Sequence, residues 1–347
     1  MYELTRLARG GVLLTGWALA AGWPRGRLGR RLHGDGWQRI CRGAWAVPGK
    51  EVDWRVRARA LQLLRPDLVC SHGTAAALHR IELLTERGTD GPGGGPEDGP
   101  GNGEVLEFTS HAAVSPRAPH QRRPAPGRIS PHVRTRVRTT SVLADRDCSL
   151  RQGLRVTNPA RTAGDLIRTA GSREAAVVVA DSALSRRLVG GLRRGPLVRS
   201  EDLAAELAVP RRAGGPAARR WLPLAVPGSG SPAETVARLR MRDADLHPEV
   251  QPTLRTRAGR PLHPDFLFRA AGLVVEIEGF AYHGTREAHA RDVHRFNELQ
   301  NCPGVRRVLR FTAREVFARP DRMTATIRAA LADCSGPDPA GPHAPRA

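Results

Sequence analysis

Residues 261–284, PLHPDFLFRAAGLVVEIEGFAYHG, constrain the fold of this chain more than any other stretch. Two apolar, β-rich runs flank the tight turn Arg269-Ala270-Ala271-Gly272, so the segment reads as a β-hairpin. Closing an antiparallel pair at that turn sets Asp265 opposite or diagonal to Glu276. Glu278 lies two residues on and shares a face with Glu276, because side chains alternate along a strand. Three carboxylates then crowd one patch of a mostly apolar sheet. Like charges across strands repel, and carboxylates in a low dielectric are costly unless something cationic binds them. A hard divalent metal with oxygen ligands answers both problems. The same acids on a solvated sheet face would need no ligand, but the alignment of all three favours a metal site.

The pattern also carries a resemblance. Asp265, an interval of ten residues, then Glu276-x-Glu278 with Gly279 and His283 following, resembles the core of PD-(D/E)XK nucleases. More narrowly it looks like the branch related to very-short-patch-repair endonucleases. Ser231-Pro232-Ala233-Glu234 opens a helix before the sheet, Arg291-Asp292-x-x-Arg295 lies in a helix after it, and Val308-Leu309-Arg310-Phe311-Thr312 forms a last strand. The resemblance covers residues 231–331 and implies a restriction-endonuclease-like α/β/α domain that hydrolyses DNA phosphodiesters. It implies that Asp265 and Glu276 hold Mg2+ (or Mn2+), that Glu278 completes the acidic cluster and that His283 assists proton movement. The family's nominal lysine position holds Glu278, and Lys50 is the only lysine in the chain. In this branch, the resemblance implies, an acid commonly replaces that lysine and a nearby histidine assists.

Several of these residues have a local reading as well. Ser231-x-x-Glu234 with Pro232 at the first helical position is a capping box, so Glu234 is either a cap or a catalytic-site acid. His283 follows the strand in a Gly-flanked loop, where proton transfer and simple surface exposure are both open. Asp292 and Arg295 are spaced i, i+3, the spacing of a helix-surface ion pair, and Arg295 is also placed to meet a phosphate.

Charge points to a polyanionic partner. The 347 residues include 55 basic and 34 acidic side chains, a net charge of +21. Nearly all the basic groups are arginine, whose planar fork suits phosphate oxygens and guanine edges. The surplus is +17 in residues 1–230 and +5 in residues 231–331, so the front of the chain is the stronger nucleic-acid candidate. Hydrophobic content of 40% is enough for real cores. Cys41, Cys70, Cys148, Cys302 and Cys334 are scattered and form no CxxC, which argues against a zinc site or disulfide framework and fits a reducing cytoplasm. Arg6 and Arg9 before GVLLTGWALAAGW loosely mimic a signal peptide, but Glu3 and the interrupting glycines oppose that reading. No stretch is long and apolar enough to span a membrane.

The front reads as a winged helix-turn-helix over residues 1–50. Short helices are expected at 3–9 and 15–21, and a third from Pro24 to His33 carries Arg25, Arg27, Arg30 and Arg31. Leu28 and Leu32 give that helix an inward face, and a hairpin turns at Arg42-Gly43. The basic third helix would lie in the major groove of double-stranded DNA, with the wing near the backbone. Gly43-Ala44-Trp45-Ala46-Val47-Pro48-Gly49 resembles the N-terminal domain of AbiEi-type antitoxins. Residues 51–209, with Ser71–His79 and Thr157–Leu166, resemble the middle portion of the same proteins. His72 and His79 there read as packing residues, since no partner acids accompany them. Residues 88–103 read as a disordered insertion, 117–128 as a basic loop, 210–230 as a linker and 332–347 as a disordered tail. The whole is an α+β, multidomain chain. Three functions follow: a DNA-binding, magnesium-dependent endonuclease, a non-catalytic antitoxin-like repressor with a cognate toxin as partner, or an RNA-directed nuclease or antitoxin acting on an RNA-modifying toxin.

Overall fold

The computed structural model describes residues 2–84, 105–111, 134–140, 143–210, 212–278 and 286–334, with backbone alone at 2–3, 111 and 286–292. The insertion at 88–103, the basic loop at 117–128 and His283 therefore lie outside the described residues. Helix α1 (Tyr2–Leu7) leads into strand β1 (Val12–Leu14), helices α2 (Thr15–Ala20) and α3 (Arg25–Gly34), and a hairpin of β2 (Gln38–Cys41) and β3 (Ala44–Ala46). Pro24, at φ −65, sets the extended residue that starts α3. Leu28 and Leu32 are buried on its inner face and pack with Leu13, Trp37 and Trp45. Gly43 turns the hairpin at φ +88, a conformation side chains resist. The sequence pattern did not show β1. It pairs antiparallel with β3, Val12 opposite Ala46, to give a sheet in the order β1-β3-β2.

Helix α4 (Trp54–Leu64) starts where Asp53 Oδ1 accepts the Val56 N–H at 2.8 Å. Its two faces serve two cores. Val56 and Ala60 pack on the N-terminal strands, whereas Trp54 and Ala58 pack on the next sheet. That sheet takes β4 (Leu68–Cys70), then, after α5 (His72–His79), β5 (Val105–His111), β6 (Arg134–Thr140), β7 (Cys148–Arg151) and β8 (Leu154–Thr157), in the order β6-β5-β4-β8-β7.

Helices α6 (Pro159–Arg168) and α7 (Arg173–Leu184) follow. After α7 the chain turns into a hairpin of β9 (Arg187–Val189) and β10 (Leu192–Arg194). Val189 pairs with Leu192, leaving only Gly190 and Gly191, both at positive φ, in the turn. Next come α8 (Ser200–Ala208) and α9 (Gly215–Trp221). Helix α9 corrects the reading of 210–230 as a bare linker. Its Ala218 is fully buried, and Trp221, Leu222 and Ala225 pack against the same core as α6, α7 and α8. Gly214 at φ +79 and Pro216 in the first turn begin the helix, so the residues that read as linker composition are its start signals.

The C-terminal part runs α10 (Pro232–Asp243), β11 (Glu249–Val250), β12 (Leu254–Arg255), β13 (Pro261–Leu262), β14 (Phe266–Phe268), β15 (Leu273–Glu278), α11 (Arg286–Gln300), β16 (Arg307–Thr312), α12 (Ala313–Ala318) and α13 (Pro320–Cys334). The main sheet has the order β11-β14-β15-β16. Strands β14 and β15 are antiparallel, and β15 and β16 are parallel, which demands the crossover that α11 supplies. Phe266, Leu273, Val275 and Ile277 face α10, α12 and α13, whereas Leu267 and Val274 face Leu299 of α11. Helices thus cover both faces of a mixed sheet, and Leu273, Val274 and Val275 are all 0% exposed. Helix α13 reaches Cys334, so residues 332–334 are helical rather than part of a tail.

The middle and C-terminal parts are tied at a buried carboxylate. Asp181 of α7, 0% exposed, accepts hydrogen bonds from the Val226 N–H (2.7 Å), Thr235 Oγ1 (2.8 Å) and Arg238 Nη2 (2.9 Å). Val178, one turn earlier, packs into the C-terminal core.

Candidate functional site

The β14–β15 register pairs Phe266 with Val275 and Leu267 with Val274, so one step further sets Asp265 level with Glu276. The Asp265 N–H donates to Glu276 Oε1 at 3.2 Å, and the Ile277 N–H donates to Asp265 Oδ2 at 2.8 Å. Arg295 reaches over from α11. Its Nη2 lies 3.3 Å from both Glu276 oxygens and donates to the His263 carbonyl at 2.8 Å. Glu278 is half-buried at the end of β15, where Arg310 Nε of β16 holds it at 2.7 Å. The structure therefore brings Asp265 and Glu276 together and gives Glu278 a cation of its own.

Glu234 enters from the first turn of α10. Ser231 Oγ accepts the Glu234 N–H at 3.2 Å, while Glu234 Oε2 accepts the Gly230 N–H at 2.6 Å. Glu234 also faces the acids. Gln251 Nε2 donates to Glu234 Oε2 at 3.2 Å and to Asp265 Oδ1 at 3.4 Å, bridging the two carboxylates. Sequence reasoning missed Gln251. It follows β11 at φ +48, an uncommon conformation for a non-glycine residue, and its N–H donates to the Asp265 carbonyl at 2.9 Å.

Burial dominates the electrostatics. It pushes the Asp265 carboxyl up to about 8, and the neighbouring Glu234 and Glu276 charges add to the rise. Burial likewise raises Glu276, opposed by the Arg295 charge, and raises Glu234. Arg187 of β9, a second residue the sequence did not single out, lies wholly buried beside this cluster. Its Nη1 donates to Glu82 at 2.6 Å, and its charge favours ionised Glu234. Arg187 Nε and Nη2 are buried without a hydrogen-bond partner among the described residues.

Magnesium binds proteins through one or two carboxylates and fills its remaining positions with water and phosphate oxygens. Asp265 and Glu276 fit that donor set: both are hard oxygen donors, mostly buried and mutually repelling. Among the described residues no group of three His, Cys, Asp or Glu side chains is placed to hold an ion by protein alone.

At the front, Arg25, Arg27 and Arg30 are exposed on α3 and Arg42 is exposed in the β2–β3 turn. Arg31 is half-buried and pairs with Asp35 at 3.2 Å. Residues 1–50 hold nine basic side chains against Glu3 and Asp35, so most of this charge is uncompensated locally. His72 and His79 are buried and hydrogen-bonded, to Ser71 Oγ at 3.0 Å and the Thr157 carbonyl at 2.8 Å, and burial favours their neutral forms. No protein-family model matches this chain, and no curated protein matches it. Among the described residues no helix is long and apolar enough to cross a membrane.

Proposed function

We propose that this chain binds DNA and that its C-terminal part is a magnesium- or manganese-dependent endonuclease of the PD-(D/E)XK type. The observation that carries the reading is the buried Asp265–Glu276 pair, joined by Gln251 to Glu234, on a hairpin between helices. The expected order supports it: a helix opened by Ser231, the acidic hairpin, a crossover helix bearing Arg295, and a last parallel strand.

A bound magnesium would polarise a phosphoryl oxygen and lower the pKa of a coordinated water. Asp265 and Glu276 would hold it. Burial raises the Asp265 carboxyl to about 8, so holding an ion there would require it to give up its proton. Gln251 orients the Asp265 and Glu234 carboxylates through its amide. Arg295, 3.3 Å from Glu276, would be able to turn its guanidinium to a phosphate oxygen were Glu276 to hold an ion. The arginines of α3 supply affinity that falls with salt.

A second reading, a non-catalytic AbiEi-like antitoxin and repressor, has one observation in its favour. Arg295 and Arg310 already neutralise Glu276 and Glu278 within the protein. Incubating pure protein with plasmid, single-stranded DNA and RNA, with magnesium or manganese and beside an Asp265→Ala control, separates the two. Metal-dependent cleavage lost in the variant supports the nuclease. Duplex binding with no cleavage of any substrate supports the repressor.

A further inference from the structure

The middle part of the chain carries a cavity of about 330 Å3 that is remote in sequence from the acidic cluster. Three arginines, Arg55, Arg80 and Arg151, line it together with Gln152, Leu78 and Leu150. The arginines come from three elements: the first turn of α4, the C-terminal cap of α5 and the end of β7. Among the described residues no acidic side chain lines the cavity. Asp53 lies 3.7 Å from Arg55 but does not line the cavity.

These side chains are held rather than merely splayed into solvent. Arg55 Nε donates to Gln152 Oε1 at 3.0 Å, and its guanidinium lies 4.5 Å from the Trp54 ring centroid. Arg151 Nε reaches the Leu78 carbonyl at 3.4 Å. Gln152 sits at φ +51 before Gly153 at φ +72, in the two-residue turn between β7 and β8. Its carbonyl accepts Arg59 Nη2 at 2.6 Å, which fixes the turn against α4. Arg80 is left-handed too, at φ +58. Two non-glycine residues in this conformation are costly, and both deliver a polar side chain to the same cavity. Leu150 lines it while 74% exposed.

We propose that this cavity binds the phosphate of a phosphate-bearing ligand, with the three guanidinium groups contacting its oxygens. Planar N–H forks match phosphate oxygens, and three of them line one concavity. The volume lies at the small end of ligand sites and admits a diphosphate or one nucleotide unit. The source is either a polynucleotide backbone or a free phosphorylated compound.

The test uses the full chain, inorganic pyrophosphate, a labelled twelve-residue oligothymidylate and two variants, Arg151→Gln and Leu150→Glu. Both positions are exposed, so neither change disturbs a core. Pyrophosphate raises the melting temperature of the unaltered protein, and its affinity falls about tenfold in each variant, through loss of one charge-assisted contact in Arg151→Gln and through an added repelling carboxylate in Leu150→Glu. Displacement of the oligonucleotide by pyrophosphate, sensitive to both substitutions, assigns the site to a nucleic-acid backbone. Pyrophosphate binding without displacement assigns it to a free phosphate compound. No binding by the unaltered protein, or binding unchanged in both variants, overturns the proposal. Asp265→Ala leaves the pyrophosphate response intact, so this outcome is independent of the nuclease reading.

Discussion

The middle and C-terminal parts both bury carboxylates beneath helices, and they treat them in opposite ways. In the middle, three acids and three arginines alternate around a closed ring. Arg161 meets Asp147 at 3.3 Å and Asp165 at 2.7 Å, Arg168 meets Asp165 at 3.5 Å and Glu206 at 3.0 Å, and Arg212 meets Asp147 at 3.4 Å and also Glu206. Every acid has two guanidinium partners. In the C-terminal sheet, Asp265 accepts hydrogen bonds from the Ile277 N–H and the Gln251 amide among the described residues, and two neighbouring carboxylates outweigh the Arg295 charge beside it. A charge that is fully paired internally holds structure together, whereas a buried charge left among like charges is suited to a ligand that brings the missing cation.

The sharpest way to break this contrast is through the acid that makes no ion pair among the described residues. Asp265→Ala should lower metal-dependent cleavage at least about 10³-fold, about 4 kcal/mol of barrier, while duplex affinity in a binding assay stays unchanged. Removal of a cation from the ring should instead cost stability. Arg161→Met opens the ring, leaving Asp147 with Arg212 alone and Asp165 with Arg168 alone, and should destabilise by about 3 kcal/mol in denaturant unfolding.

The pH dependence distinguishes the two regions as well. Asp265 carries a folded pKa of about 8, well above its unfolded value of about 3.9. The folded state therefore binds the extra proton between those values, and stability falls as pH rises from about 4 to about 8. Asp265→Asn should reduce that fall, with the raised Glu234 and Glu276 contributing in the same direction. Unfolding curves across this pH range check it.

Smaller effects come from exposed groups. Arg27→Gln and Arg30→Gln should each weaken duplex binding across sequences and reduce the salt slope by about 1, measured by titration at several ionic strengths. Arg310→Gln breaks a half-exposed pair with Glu278 and should change stability by less than about 1 kcal/mol.

Local pattern carried part of this picture. The hairpin was legible because two apolar runs bracket a tight turn, and closing the antiparallel pair at that turn then set Asp265 opposite or diagonal to Glu276. The inward face of α3 was legible from Leu28 and Leu32. Strand β1 was not, since three residues between short helices carry no period. Helix α9 was hidden by glycine and proline that proved to be its start signals. Gln251 has no local signature: its role depends on a left-handed backbone and on two acids fourteen residues ahead and seventeen behind. Glu278 finds Arg310 only because parallel pairing of β15 with β16 brings distant residues side by side.

The most direct test of the central claim is a carbon-13 titration of the Asp265 carboxyl, with and without magnesium. The account predicts a midpoint near 8 in metal-free protein and a clear downward displacement when magnesium is added. An ordinary carboxylate midpoint near 4, indifferent to magnesium, would contradict it.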